Sequence, residues 1–379
     1  MRVMIVDDDP WIADLLKQLV LSLRPSAHID CFGNVRSAAQ AWQSNPYRLV
    51  LADWNLPDDS GLSLLQTIRK GDQQTPLVMI TGRADRDSVL AIRPLAISAY
   101  ITKPFEVPQV LAVLERLLPP AESREADAPV QTELRAYLRG LGAADLDLPL
   151  LGDVKDKLQQ VCQGVPLDFK VLAHEWQHNP ALCAYLISAA NSPAYLSTGK
   201  PCTGLNEALK RLGGRTSMNL AISLALRQTS SESNDPVLSA QLRVHLDASE
   251  RLAEQVVDLA RQCGLEPASL QVAALLHRMG ELCVLYQAQE WAKQANGNGD
   301  SVDEHSLRQA MNDFAKAFAI ELKARWGLPM ALRELIGAAY LLPQAQVRRE
   351  QVLMRLASAL CNNEPAADIA RLKRLAGLG

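Results

Sequence analysis

The sequence has no run of about eighteen apolar residues, so nothing in it reads as a membrane-spanning helix. Its start, MRVMIVDDDP, turns acidic after six residues, where a secretory leader would carry an apolar core, and the expected location is the cytoplasm. Charge of one sign is also missing. A formal net charge of -3 supplies no excess of cations to coat a phosphate backbone. Aromatic residues are only 5% of the chain, and no helix-turn-helix, zinc-finger or base-stacking pattern is present, so direct DNA binding is not expected. The seven cysteines are scattered, with no C-x-x-C pair and no histidine at zinc-finger spacing. That excludes a structural zinc or a disulfide framework.

What is there is a 379-residue chain, 48% apolar and rich in alanine and leucine, long enough for two or three domains. From residue 1 to 118, short apolar runs alternate with amphipathic segments. VMIV, HIDCF, RLVLAD, PLVMIT and AYIT read as five strands with helices between them. The runs VMIV and LVLA do not alternate with polar residues, as expected of strands covered on both faces. The predicted first domain is therefore an α/β doubly wound, five-stranded parallel sheet. The stretch PPAESREADAPVQ, residues 119–131, has two prolines, charges and no apolar period, and reads as a linker. Residues 132–379 read as an all-α helical bundle of about ten or more helices. Amphipathic runs cover Asp168 to Ala190, Asn206 to Arg227, Leu238 to Leu259, Leu270 to Gln289 and Ser306 to Trp326, with a helix C-cap expected at Gly264.

The strand ends carry the chemistry. Asp7 and Asp8 follow the first strand, Asp53 ends the third, Thr81 closes the fourth and Lys103 follows the last. In a parallel sheet these ends lie side by side, where open α/β folds place their sites. Clustered carboxylates repel one another unless a hard divalent cation joins them, and oxygen ligands with room for waters suit Mg²⁺. Such a metal and the Lys103 ammonium can neutralise an incoming phosphoryl group, leaving one carboxylate free to attack phosphorus in line.

These residues closely resemble the receiver domain of two-component response regulators, over residues 1 to about 118. The resemblance implies that Asp53 is the phosphoacceptor and that Mg²⁺ is held by Asp8, Asp53 and the backbone carbonyl of Asn55, with Asp7 acting mainly through metal-bound water. It also implies that Lys103 contacts the phosphoryl group, that Thr81 and Tyr100 form the switch pair, and that Lys103-Pro104 is a cis peptide. The Gly-Ala pair usual before the last strand in that family is ISAY here.

Beyond the linker, ISAANSPAY, NEALKRLGGRTSMNLAISLAL, AALLHRMGEL and RWGLPMALRELIGAAY resemble, in order, an HDOD domain, with a core over about 140–345. HDOD domains are helical relatives of metal-dependent HD phosphohydrolases, whose centres need histidines and aspartates on neighbouring helices. Here the expected ligand positions fall on Ala248, about Ala315, Ala338 and Ala339, while Arg278 stands where the aspartate after His277 would be. His277 then reads as a partly buried helix histidine hydrogen-bonded to a neighbour, and Lys210, Arg211 and Arg215 as a solvated helix end. His174 and His178 share i, i+4 spacing but lack acidic company.

The resulting expectation is a phosphorylation-dependent response regulator, not an enzyme in the turnover sense, with Mg²⁺ as cofactor. Its expected partners are a sensor histidine kinase, downstream signalling proteins and a second copy of the chain as homodimer. The competing reading is a cyclic-dinucleotide phosphodiesterase, or a nucleotide-binding regulator, of HD-GYP type.

Overall fold

The computed structural model describes residues 1–82, 93–119, 133–150, 154, 157–158, 160, 169–196, 199–228, 235–295 and 302–378. Past its first residue, the expected linker lies outside the described residues. The chain forms two compact units. One comprises Met1–Ala126, Asp156–Leu167 and Gly213–Arg227; the other comprises Asp127–Lys155, Asp168–Leu212 and Gln228–Gly379.

In the first unit, β1 (Arg2–Val6), β2 (His28–Phe32), β3 (Leu49–Asp53), β4 (Leu77–Thr81) and β5 (Ala99–Thr102) form one sheet in the order β2-β1-β3-β4-β5. Every pairing is parallel, with Ile5 opposite Leu51, Asp53 opposite Ile80 and Thr81 opposite Thr102. All residues of β3 and β4 are buried, which is why those runs show no polar alternation. Alternate side chains take opposite faces. Met4, Val6, Val50, Ala52, Leu77 and Met79 pack with residues of α2 (Val35–Ser44) and α3 (Gly61–Gly71). α1 (Pro10–Leu23) packs against α4 (Val107–Leu117). Helix starts follow local capping rules: Asp9 accepts from Trp11 N with Pro10 in the first turn, and Asn34 accepts from Ser37 N. The expected five-stranded parallel sheet is present, and Lys103-Pro104 is cis.

The rest of the chain is helical. In order come α5 (Leu134–Gly140), α6 (Phe169–Trp176), α7 (Pro180–Ala190), α8 (Leu205–Leu212), α9 (Gly214–Arg227), α10 (Pro236–Gln262), α11 (Ala268–Leu275) and α12 (Met279–Ala295). Then follow α13 (Glu304–Arg325), α14 (Met330–Ala338), α15 (Arg349–Cys361) and α16 (Ala366–Ala376). α9 belongs to the first unit and the others to the second. α7 is buried along its whole length. α10 is started by Asp235, which accepts from Val237 N and Leu238 N, and is ended at Gly264, whose φ of 66° lies in the left-handed region. α12 and α13 cross with almost no room: a Cβ on Gly280 would sit 2.0 Å from Ala315 O.

Two runs that read as continuous helices are each split. Gly213, at φ 77°, separates α8 from α9, and Leu276, His277 and Arg278 form a turn between α11 and α12. His277 is therefore a turn residue, not a helix residue. Among the described residues, no helix is long and apolar enough to cross a membrane.

Candidate functional site

The sheet register brings the C-terminal ends of β1, β3, β4 and β5 into one pocket. Asp7 and Asp53 are buried, at 3% and 7% exposure, and Asp8 is exposed. Asp7, Asp8 and Asp53 each offer a carboxylate oxygen within 4.8 Å of the others, and among the described residues this is the one such group. Lys103 Nζ donates to Asp7 Oδ2 at 2.6 Å and to Asp53 Oδ2 at 2.9 Å. Its main-chain N donates to Thr81 O at 2.6 Å, joining the ends of β4 and β5 behind the ammonium. Asp7 Oδ1 accepts from Asp9 N at 3.0 Å, which holds that carboxylate at the start of α1. Gly61 N donates to Trp54 O at 2.9 Å, so the chain after Asp53 is folded tightly back onto α3.

Burial pushes the Asp7 carboxyl up to about 6, against the pull of the Lys103 ammonium and with the Asp53 charge adding to the rise. Burial alone would lower Lys103, but Asp7 and Asp53 outweigh it and hold its pKa above the ordinary lysine value. Three ionised carboxylates facing one ammonium leave two negative charges over, which one divalent cation balances. Asp53 Oδ1 is buried with no partner among the described residues. A buried anionic oxygen without a donor is costly, and the donor set is all oxygen, so the residues present fit a hard cation such as Mg²⁺. Thr81, fully buried, stands at the rim of this pocket, whereas Tyr100 is half-buried among the residues packed against the α2–α3 face of the sheet. Asn55 is exposed two residues beyond Asp53 and bridges to Ser60.

The second unit places its suspected site residues differently from a metal centre. The Arg278 guanidinium lies between two imidazoles: Nε donates to His277 Nε2 at 3.2 Å, and Nη1 donates to His245 Nδ1 at 3.1 Å. Both acceptor nitrogens must be unprotonated, because a guanidinium can only donate. His277 Nδ1 donates to Ala274 O at 2.6 Å, and the Tyr340 hydroxyl donates to His277 O at 2.7 Å. Burial, with the Arg278 charge, pushes the pKa of His245 down to about 4. His277 is also held at about 4, burial and the charges of Arg278 and His245 prevailing over its bond to Ala274. Arg278 thus does more than repel a metal, because its N–H groups occupy the accepting nitrogen of both imidazoles. Ala315, Ala338 and Ala339 are all buried and offer no ligand.

Sequence reading set His245 aside as a metal ligand and missed its bond to Arg278, 33 residues away; the available signal was its i, i+4 spacing to Ser249 on the buried stripe of α10. Of the basic stretch, Lys210 and Arg215 are exposed, as expected of a solvated helix end, but Arg211 is half-buried and donates to Ala190 O at 3.1 Å and Lys200 O at 2.9 Å, and Arg215 also donates to Pro104 O at 3.1 Å. The Asn191 of the ANSP signature is structural, since its side chain exchanges two hydrogen bonds with the Cys202 main chain, at 2.8 and 2.9 Å. His174 and His178 are exposed and meet edge to face around Gln177, and they are not part of the metal-compatible group found among the described residues.

Comparison with known proteins places both units. The response regulator receiver domain family matches residues 3–115, and the HDOD domain family matches residues 148–341. Among curated relatives, the response regulator protein PilR of Pseudomonas aeruginosa is 30% identical over 137 residues, covering 35% of this chain and 29% of that protein. The transcriptional regulatory protein PmrA of Pectobacterium parmentieri is 32% identical over 119 residues, covering 31% of this chain and 52% of that one. The chain spans about half, or less, of the length of these relatives. Among solved structures, the response regulator TrrA of Thermotoga maritima, in complex with Mg²⁺ and BeF, is 29% identical with a TM-score of 0.28, covering 31% of this chain and 98% of that one. The MmoQ response regulator of Methylococcus capsulatus is 19% identical with a TM-score of 0.45, covering 63% and 96%. With the HDOD match alone spanning just over half of its length, the chain belongs to the HDOD domain family, and a response regulator receiver domain precedes that domain.

Proposed function

We propose that the protein is a cytoplasmic response regulator in which Asp53 accepts a phosphoryl group from a sensor histidine kinase and thereby controls a non-enzymatic HDOD output that acts by contacting other proteins. The observation that carries the reading is the pocket itself: two buried carboxylates sharing one lysine ammonium, with an acidic third beside them and a buried oxygen of Asp53 that has no donor among the described residues. In the proposed transfer, an Asp53 carboxylate oxygen forms the new bond to phosphorus while the bond from phosphorus to the donor nitrogen breaks, and the electron pair leaves with the donor imidazole. Lys103 releases Asp7 and follows the incoming phosphoryl oxygens. Asp7, Asp8, Asp53 and the Asn55 carbonyl would hold Mg²⁺, which when bound neutralises phosphoryl charge. The Thr81 hydroxyl turns toward the new group, and Tyr100 follows it.

For the HDOD part, the guanidinium of Arg278 seated between His245 and His277 favours recognition over metal-assisted hydrolysis, because it takes the lone pairs of His277 Nε2 and His245 Nδ1 while His277 Nδ1 is bonded to Ala274 O. The experiment is labelling of the full chain by a small phosphodonor with Mg²⁺, in wild type and Asp53→Asn, followed by capture of partners by each form. The wild type is expected to label and the variant not to. Equal labelling of Asp53→Asn removes Asp53 from the role, and metal-dependent cleavage of a cyclic dinucleotide that is lost in His277→Ala overturns the non-enzymatic output.

A further inference from the structure

α9 stands apart from the other helices of the HDOD stretch because it is part of the first unit, packed on α1. One stripe of its surface, spaced by four residues, makes the polar contacts. Arg215 Nη1 donates to Pro104 O at 3.1 Å, and its other guanidinium nitrogen lies 3.4 Å from Glu106 Oε1. Asn219 Nδ2 donates to Phe105 O at 2.8 Å, and Ser223 Oγ donates to Asp14 Oδ2 at 3.2 Å. Arg215 and Glu106 are half exposed and their pairing is screened by solvent. Asn219 and Ser223 are 5% and 0% exposed, so the bonds they make are sheltered from competing water.

The acceptors are what give this stripe meaning. Pro104 and Phe105 are the two residues after Lys103, whose ammonium joins Asp7 to Asp53. Asp14 lies on α1, whose N-cap Asp9 is bonded to Asp7 Oδ1. α9 therefore grips both chain segments that lead out of the acidic pocket, β1 into α1 and β5 into α4. Just before its first turn, two residues ahead of Arg215, Gly213, with φ at 77° and no contact within 4 Å of a notional Cβ, joins α9 covalently to Leu212, the last residue of α8 in the second unit.

We propose that α9 is the element through which the state of the Asp53 pocket reaches the HDOD domain, gripping the 104–105 main chain while Lys103 bridges Asp7 and Asp53 and loosening when Lys103 turns to a phosphoryl group. The proposal rests on the phosphoacceptor reading above. Because coupling between two sites is reciprocal, a phosphoryl group that loosens α9 must itself be bound more tightly when α9 is already loose.

The test uses the full chain with Mg²⁺ and beryllofluoride, in wild type, Asn219→Ala and Arg215→Ala. Amide hydrogen exchange reads α9 and the peptide containing Asp53, and fluorine NMR reads occupancy of the pocket. In wild type, beryllofluoride is expected to slow exchange around Asp53 and to speed it several-fold over 214–227. Asn219→Ala is expected to speed exchange over 214–227 without the ligand and to bind beryllofluoride about three- to tenfold tighter, the loss of one sheltered hydrogen bond. Arg215→Ala, an exposed truncation, is expected to move both readings in the same direction by less, and it carries the test if Asn219→Ala does not fold. A protected Asp53 peptide with unchanged exchange over 214–227, or wild-type affinity in the variants, overturns the role of α9 and leaves the phosphoacceptor reading standing. No protection around Asp53 in wild type overturns both.

Discussion

Gly61 is the position at which a single methyl group should reach the pocket. It opens α3 behind the N-cap Ser60, whose Oγ accepts from Leu62 N at 3.2 Å, and its own N donates to Trp54 O at 2.9 Å. A Cβ there would lie 1.9 Å from Asp53 O and 3.0 Å from Asp53 C. Both are main-chain atoms of a fully buried strand, so no flexible side chain can give way. Ordinary contact begins near 3.4 Å, so Gly61→Ala must open the gap by about 1.5 Å. That breaks the Gly61–Trp54 bond, worth about 1 kcal/mol, and adds an overpacking strain of about 1–3 kcal/mol, for a loss of about 2–4 kcal/mol. For a unit of this size the melting temperature should fall by roughly 10 °C, read as the transition of the first unit in calorimetry of the full chain. Gly71, at the far end of the same helix, has nothing within 4 Å of its notional Cβ, so Gly71→Ala is the control and should be neutral or slightly stabilising. The displacement falls on the carbonyl of Asp53, so labelling by a phosphodonor should slow in Gly61→Ala and not in Gly71→Ala. A Gly61→Ala protein that melts with Gly71→Ala, within about 2 °C of wild type, refutes the close-approach reasoning.

Two further outcomes follow from buried charge. Lys103→Met leaves Asp7 and Asp53 without their shared ammonium, a loss of about 3–5 kcal/mol where nothing replaces the charge. Urea unfolding in chelator should show that loss and added Mg²⁺ should reduce it, whereas equal losses in both conditions speak against a divalent site at these carboxylates. At the second site, His245 and His277 are held at about 4 against an ordinary 6.5, so below pH 6.5 the unfolded chain takes up protons that the folded chain refuses. Stability is therefore full above about pH 6.5 and falls as pH drops toward about 4, by on the order of 3 kcal/mol per histidine. The double variant His245→Gln and His277→Gln should show a shallower decline in its urea midpoint over that window, and an unchanged slope refutes the assignment.

The sheet was legible because its evidence is local. Strands buried on both faces must be continuously apolar, and carboxylates ending such strands must share an edge, so Asp7, Asp53 and Lys103 could be placed together from the order of segments alone. Helix boundaries were legible where a cap announces them, as at Gly264. They failed where tertiary contacts decide. Residues 274–282 keep a helical apolar rhythm, yet the turn at His277 is fixed by a hydroxyl 63 positions away in Tyr340.

The same distance hid the roles of the cations. Arg278 read as a lost aspartate because its immediate neighbour was the informative residue in sequence; its partner His245 is on α10, 33 residues back, and leaves no mark near position 278. Arg215 read as one charge of a solvated helix end, although its acceptor lies 111 residues back in the chain. In each case the residue was noted as a cation, and what sequence could not supply was the acceptor its N–H groups meet. A guanidinium carries five N–H groups in a rigid fork, so buried or half-buried arginines are the residues whose meaning depends most on what the fold brings to them. Arg278 closes off His277 Nε2 and His245 Nδ1 by this means, and Arg215, with Asn219, ties α9 to the residues that follow Lys103.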